Sequence, residues 1–338
     1  MLVYDNFFPE DLAEKVLAPA HKLPFKGGWK SNSKLDEDPG HWNYLVIGSG
    51  KEPRERNFDC QQDPSFVASD CYPLWEVIMK KLGPRRLRRA YFNGYTFGTD
   101  GYYHQDAYTL NDDKEYSSTC LQESILCYCN TEWFPNWGGE TAFLKDGEIG
   151  YSILPKFNRV VVFDGTIWHC ARSLSRSFHG LRTILVFKTS REVFDEEDVI
   201  RKLSDIVQGI QHSQSYFINH LLGTYNILKQ SGFPQATCLA GLFHSIYGTE
   251  VFEGGVNISR EEVRELIGDV SEELVHLFCT LRPRKQHILQ NHEGLLSSWQ
   301  QYHLAAIELA NLMEQKERIR WSMARDQYVA QLNLIIGL

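Results

Sequence analysis

Near residue 192 the hydrophobic periodicity of this chain changes, and that change limits what it can fold into. Upstream, short β-rich segments at 90–97, 123–129, 140–144, 160–163 and 183–188 are separated by Gly, Asp, Asn and Pro turns. Many short strands at such spacing suggest a sandwich, barrel or jelly roll. Two helices, 9–17 and 73–82, are expected to flank that sheet. Downstream the pattern is almost wholly helical. Asp195 is placed to cap a helix whose first turn carries Glu196, Glu197 and Asp198, favourable against the helix dipole. Phe217, Leu221, Leu222, Tyr225 and Leu228 recur at helical spacing until Gly232. Pro234 opens a further helix that Gly248 closes, and others are expected at 260–267, 271–280, 298–317 and 321–336. A chain of 338 residues is long enough for two cores. The expectation is an α+β protein of two domains: a β domain over 1–192 with flanking helices, and an all-α domain over 193–338.

Composition removes several alternatives. Hydrophobic residues make up 43% and aromatics 13%, against a net charge of only −8, which excludes disorder as the main character. The longest apolar runs, such as Val160-Val161-Val162-Phe163, fall far short of the ~20 residues of a membrane span. Met1-Leu2-Val3-Tyr4-Asp5 has neither the basic nor the apolar part of a signal peptide. A soluble cytoplasmic protein is expected, without a membrane partner. The acidic balance argues against nucleic acid as a partner. The local exception, Arg85-Arg86-Leu87-Arg88-Arg89, is read as a solvated face. The eight cysteines contain no Cys-x-x-Cys pair and read as small buried hydrophobes.

The sharpest chemical signal is His104-Gln105-Asp106, followed 63 residues after the aspartate by His169. Residues two apart on an extended segment share a face, and a histidine from a distant strand can complete one triangular face of an octahedron. Two histidines and one carboxylate leave open positions, as non-haem Fe(II) oxygenases require. Alone, a His-x-Asp is weak. The flanking stretches are Ala90-Tyr91-Phe92-Asn93-Gly94-Tyr95-Thr96-Phe97-Gly98 leading to His104, Trp137-Gly138-Gly139-Glu140-Thr141, Phe163-Asp164-Gly165-Thr166-Ile167-Trp168-His169, and His179-Gly180-Leu181-Arg182-Thr183. With them in this order, most of residues 1–190 resembles the Fe(II)/2-oxoglutarate-dependent dioxygenases of the prolyl-4-hydroxylase-like branch.

The resemblance implies a double-stranded β-helix (jelly roll) with His104, Asp106 and His169 as iron ligands and Fe(II), 2-oxoglutarate and O2 as cofactors. It implies oxidation, most simply hydroxylation, of an unactivated C–H bond as 2-oxoglutarate yields succinate and CO2. A bidentate cation suits the distal carboxylate of 2-oxoglutarate, and Arg182, 13 residues after His169, fits. Thr183 points to the other face and is a weaker candidate; Tyr91 and Asn93 share a face and could reach cosubstrate or substrate. Gly138-Gly139 reads as a tight turn beside the metal cavity, and Glu140 as a strand-pairing or supporting group.

Substrate signals are thinner. Trp133, Phe134, Trp137 and Trp168 crowd the motif region, and Arg172 and Arg176 could hold an anionic group, with surface solvation the plainer account. A small-molecule metabolite is the first choice. The alternatives are a peptidyl or protein hydroxylase, a bifunctional enzyme with a second metal-dependent activity, and a 2-oxoglutarate sensor.

In the helical half, His220 and His244 lie in segments that resemble the first and central helices of HD-superfamily phosphohydrolases. Ser245 stands where that pattern has a metal-binding Asp, and Asn311 roughly where it has the last one. Losing both carboxylates removes the charge a hard cation needs. His220 and His244 could still bind a metal with Glu250 or Glu253, but buried, hydrogen-bonded core histidines are the favoured account of a degenerate HD-like domain. The apolar end Leu334-Ile335-Ile336-Gly337-Leu338 could pack against a second copy as a homodimer.

Overall fold

A computed structural model describes residues 1–31, 38, 40–48, 58–107, 120–212, 215–249, 256–291, 294–316 and 321–337. The chain divides into two compact units: Met1–Trp75 with Arg85–Glu192, and Glu76–Pro84 with Val193–Leu338. The stretch 76–84 groups with the helical residues although it lies far upstream of residue 192. A hydrophobic pattern read along the chain has no means of showing this.

Among its described residues the first unit contains ten strands: β1 (Leu2–Tyr4), β2 (Lys26–Trp29), β3 (His41–Ile47), β4 (Arg86–Tyr95), β5 (Cys120–Tyr128), β6 (Thr141–Lys145), β7 (Glu148–Ile153), β8 (Val160–Asp164), β9 (His169–Ala171) and β10 (Arg182–Glu192). Helices α1 (Glu10–Val16) and α2 (Pro64–Val67) belong to it, and α3 (Tyr72–Lys81) begins in it. Seven strands form an antiparallel sheet in the order β1-β8-β5-β10-β4-β3-β2, and three form a second in the order β7-β6-β9. Strand β10 is central, and its first nine residues are all buried. That is why its sequence reads as a continuous apolar run rather than an alternation.

Cross-strand partners sort β10 into two faces. Arg182, Ile184, Val186 and Lys188 share one with Tyr95, Asn93, Tyr91 and Arg89 of β4, and with Tyr128, Leu126 and Ser124 of β5. This inner face meets Phe143 of β6 and Ala171 of β9 in one apolar cluster that includes Tyr91, Tyr95, Leu126, Tyr128, Phe163, Ile184 and Val186. Thr183, Leu185 and Phe187 occupy the other face, where Phe187 packs on Trp75 at 5.7 Å between ring centroids.

The arginine run corrects the expectation of a solvated surface. Strand β4 begins at Arg86, and Arg85, Arg86 and Arg88 are buried. Arg85 pairs with Glu123 at 2.9 Å and Arg86 with Glu192 at 3.7 Å, while Arg88 donates to Phe58 O at 3.1 Å. Burial pushes Arg85 down to about 10, with Glu123 opposing. The guanidinium heads have carboxylate and carbonyl partners, which makes such burial tolerable.

The second unit contains α4 (Glu196–Ile206), α5 (Phe217–Gln230), α6 (Gln235–Phe243), α7 (Arg260–Ile267), α8 (Asp269–Thr280), α9 (Arg284–Gln290), α10 (Ser298–Gln315) and α11 (Met323–Ile336). Asp195 caps α4 by accepting from the amides of Glu197 and Asp198. Capping boxes at Ser259/Glu262 and Ser297/Gln300 start α7 and α10. Gly268, at φ +82°, ends α7 and begins α8, so α8 starts two residues before the expected Ser271. Pro234 stands just before α6 rather than inside its first turn, and α6 ends at Phe243, short of Gly248. Helix α9 had no counterpart in the sequence pattern, being only seven residues long. No helix among the described residues is long and apolar enough to cross a membrane.

Candidate metal centre

His104 and His169 meet as an isolated antiparallel bridge, each amide donating to the other's carbonyl at 3.1 and 3.0 Å. His104 is therefore positioned by β9 rather than by a regular strand of its own. Asp106 is set by its amide, which donates to Gly165 O at 2.7 Å. Each imidazole Nδ1 donates to a backbone carbonyl, His104 to Tyr102 O at 2.8 Å and His169 to Ile167 O at 2.9 Å. A carbonyl can only accept, so each Nδ1 carries a proton and Nε2 is the nitrogen left for a metal. Both Nε2 atoms face Asp106, at 3.4 Å from Oδ1 and 3.4 Å from Oδ2 respectively. One ligand atom from each residue lies within 4.8 Å of the others, and this is the only such cluster among the described residues.

Asp106 is also held from behind. Ser124 Oγ donates to Oδ2 at 2.5 Å, and the ammonium of Lys188 sits directly against the same oxygen. Burial alone would raise the aspartate; Lys188 and His169 outweigh it and hold the carboxyl well below its usual range. Burial likewise opposes the charge on Lys188, but Asp106 keeps it above its ordinary value. The centre thus presents one carboxylate oxygen and two imidazole nitrogens, a donor set that fits Fe(II).

Arg182 begins β10 on the same inner face. It is 1% exposed, donates from Nη2 to Thr141 Oγ1 at 3.0 Å, and lies over the rings of Tyr95 (5.2 Å) and Tyr128 (5.6 Å). The Tyr128 hydroxyl is 2.7 Å from Thr141 Oγ1. Arg182 Nε is buried without a hydrogen-bond partner among the described residues. A buried guanidinium edge with an idle donor is suited to a carboxylate that arrives with a ligand. Gly139, at φ +71°, allows the close approach: a Cβ there would lie 2.6 Å from Leu174 and 3.1 Å from Arg182 Cδ. Gly139 thus serves the approach of Leu174 and Arg182, whereas a Cβ on Gly138 would meet Ser173 O at 2.7 Å.

The other sequence candidates divide. Tyr91 and Asn93 face the inner cluster, and Asn93 Oδ1 accepts from Asn43 Nδ2 at 2.9 Å. Thr183 does not join them: it lies on the opposite face, as side-chain alternation demands, and the hydroxyl beside Arg182 belongs to Thr141. Trp137 packs with Trp133, Phe134 and Phe178, with centroids 4.7–5.6 Å away. Arg172 and Arg176 are exposed. Glu140 pairs through its backbone, its carbonyl accepting from Arg172 N at 2.8 Å. The residues that sequence reasoning missed are Ser124, Thr141, Tyr128, Tyr95, Lys188 and His41. All but His41 lie at alternate positions of strands already recognised, or at a strand's first residue, so the alternation itself was the available signal. His41 stacks on Tyr95 at 4.6 Å, and burial pushes it down to about 4.

In the helical unit His220 and His244 do come together, with Nε2 atoms 3.0 Å apart. His244 Nδ1 donates to Gly241 O at 2.7 Å, so its Nε2 accepts, and the bond between the rings is donated by His220. His220 Nδ1 is 2.5 Å from Glu314 Oε2. Glu314, one turn beyond Asn311, is the carboxylate the sequence comparison did not find. Burial and His220 hold His244 well below its ordinary value, with the hydrogen bond to Gly241 O and, more weakly, Asn311 opposing. Glu250 and Glu253 lie outside the described residues.

Comparison with known proteins gives the following. A domain of unknown function, DUF6817, matches residues 203–283. No curated protein matches the sequence. Among solved structures, the chain is similar to a prolyl-4-hydroxylase from Pseudomonas putida at 18% identity and a TM-score of 0.38, covering 56% of this chain and 92% of that one. It is similar to HygX from Streptomyces hygroscopicus, solved with nickel and 2-oxoglutarate bound, at 14% identity and a TM-score of 0.36, covering 58% and 84%. It is also similar to a metazoan ortholog of SpoT that hydrolyses ppGpp, at 16% identity and a TM-score of 0.30, covering 42% and 83%.

Proposed function

We propose that this chain is an Fe(II)- and 2-oxoglutarate-dependent oxygenase, its first unit a double-stranded β-helix. It would oxidise, most simply hydroxylate, an unactivated C–H bond of a small-molecule metabolite. The observation that carries the proposal is the convergence of His104 Nε2, His169 Nε2 and an Asp106 oxygen. The idle, buried Nε of Arg182 on the same sheet face supports it.

When bound, iron and 2-oxoglutarate would supply the oxygen chemistry, with succinate and CO2 as co-products. The chain supplies placement. Tyr102 O and Ile167 O fix the tautomers of the two histidines; Ser124 and Lys188 orient Asp106. Arg182, with Thr141 and Tyr128 beside it, would hold the distal carboxylate of the cosubstrate. Phe143 and Phe163 pack around His169, at 6.0 and 4.6 Å, and keep water from that side of the site. On the same inner face, Tyr91 would reach the cosubstrate and Asn93 the substrate.

The helical unit is proposed as a degenerate HD-like module without a second catalytic centre. Its carboxylate, Glu314, engages Nδ1 of His220 rather than the space between the two Nε2 atoms.

Anaerobic addition of Fe(II) and 2-oxoglutarate to the apoprotein tests the main proposal. A visible metal-to-ligand charge-transfer band is expected, lost in His169→Ala and weakened in Arg182→Ala. A folded protein that shows no band would remove the proposal.

A further inference from the structure

Lys188 orients Asp106, but an uncharged donor such as Ser124 does that too, and the oxygenase reading does not explain why a cation stands there. Lys188 lies in register with Ser124 of β5 and Arg89 of β4, on the inner face of the sheet. Its side chain is 6% exposed and that of Asp106 9%. The ammonium contacts Asp106 Oδ2 and donates to Ser124 Oγ at 3.2 Å. Ser124 in turn donates to Oδ2. One carboxylate oxygen is thus engaged by the protein's own cation.

The charge around this contact is one-sided. Asp106 is the sole carboxylate of the ligand cluster found among the described residues. The neighbouring acid, Glu123, faces the other way and is committed to Arg85 and Arg191, each at 2.9 Å. The cross-strand neighbour of Lys188 on β4 is another cation, Arg89, whose guanidinium lies 4.7 Å from the Tyr91 ring centroid. A divalent cation, one carboxylate, one ammonium and two neutral imidazoles leave the immediate cage with two net positive charges. In a buried site such an excess is poorly screened and costly.

We propose that Lys188 makes metal retention at this centre conditional on an anionic ligand. The metal alone competes with Lys188 for Asp106. A dianion whose near carboxylate binds beside the metal, while its distal carboxylate meets Arg182, lowers that excess by one charge and lets both cations remain. Lys188 is therefore a positioning residue for Asp106 and a coupling element between metal and cosubstrate, and the inference rests on the oxygenase reading. Linkage makes the coupling reciprocal: whatever factor the anion adds to metal affinity, the metal adds to anion affinity.

The test is a titration of the apoprotein with Mn(II), following the free ion by electron paramagnetic resonance, with and without 2-oxoglutarate. In the wild type 2-oxoglutarate should strengthen Mn(II) binding by about 100-fold, at the upper end of ordinary couplings. Lys188→Gln keeps a hydrogen-bonding group but no charge. It should bind Mn(II) alone about tenfold more tightly and show a coupling smaller by about the same factor. Lys188→Arg, which keeps the charge, should retain most of the wild-type coupling, a pattern that a packing role would not produce. Lys188→Met serves in place of Lys188→Gln if the latter does not fold. Equal or weaker Mn(II) binding by the uncharged variant, or an unchanged coupling, overturns the inference while leaving the metal centre intact. If the wild type binds no Mn(II) even with 2-oxoglutarate, the oxygenase reading fails, and this inference with it.

Discussion

Each unit contains a pair of histidines with facing rings, and the two pairs differ in where the carboxylate sits. In the β unit His104 and His169 turn their Nδ1 protons to backbone carbonyls, and Asp106 stands on the Nε2 side. In the helical unit the carboxylate of Glu314 stands on the Nδ1 side of His220, and the two Nε2 atoms meet each other. The first arrangement offers three ligand atoms to a cation. The second satisfies its lone pair internally with a hydrogen bond. The lesson is that the side of the imidazole a carboxylate occupies separates a metal centre from a buried polar link, even when ring separations are as similar as 4.4 and 4.9 Å.

The largest expected effects break this contrast directly. His104→Ala or His169→Ala should weaken Fe(II) or Mn(II) binding by more than about 100-fold, because a ligand matters at least as much as the groups that orient it. His244→Ala should leave metal affinity in the β unit unchanged. Loss of metal binding in His244→Ala alone would reverse the assignment of the two pairs.

Glu314→Ala leaves a buried imidazole without its carboxylate partner. Removing one member of a buried ion pair typically costs about 3–5 kcal/mol, so the helical unit should lose stability of that order in urea. The metal isotherm should not change. A fully stable Glu314→Ala variant would mean that the link carries little of the unit's stability.

Acid sharpens the comparison further. His303 accepts from the Thr237 hydroxyl at 2.9 Å and donates to Met79 O at 3.0 Å. Burial pushes it down to about 4, Met79 O opposing. Its unfolded counterpart titrates near 6.5, so unfolding takes up a proton between those values and stability falls as pH drops from about 6.5 to about 4. Below about 4 both states are protonated and this residue adds no further loss. Unfolding measured at pH 7, 5.5 and 4.5 should decline less steeply in His303→Gln than in the wild type, by on the order of 2 kcal/mol, while His41 and His244 keep their own share of the decline. An equally steep decline in His303→Gln would assign it to other groups.

The smallest effect separates two adjacent threonine assignments. Thr141→Val removes the hydroxyl beside Arg182 and should weaken 2-oxoglutarate binding by roughly 5–10-fold, the worth of one hydrogen bond. Thr183→Val, on the opposite face, should leave it unaltered. The reverse result would restore the sequence-based choice.

Much of this was legible along the chain. His104, Asp106, His169 and Arg182 stand in ordered motifs, and the helices of the second unit follow their caps and periodicity. The Arg85–Arg89 run was misread because its carboxylate partners, Glu123 and Glu192, lie more than 30 residues away in sequence and meet it only through sheet pairing. Thr141, Ser124 and Lys188 were missed for the same reason: each gains its role from a partner on another strand. Glu314 was missed because the expected position, Asn311, is one helical turn too early.

The sequence by itself determined the periods, the turns, the change near residue 192 and the residue types able to hold iron and a carboxylate. Those depend on local backbone preference and on side-chain chemistry, which are written residue by residue. Tertiary structure decided which hydroxyl meets Arg182, which cation rests on Asp106, and on which side of each imidazole the carboxylate lies. These depend on strand register and helix packing. A shift of one residue in a strand or one turn in a helix moves a side chain to another face, and only long-range contacts determine which face it takes.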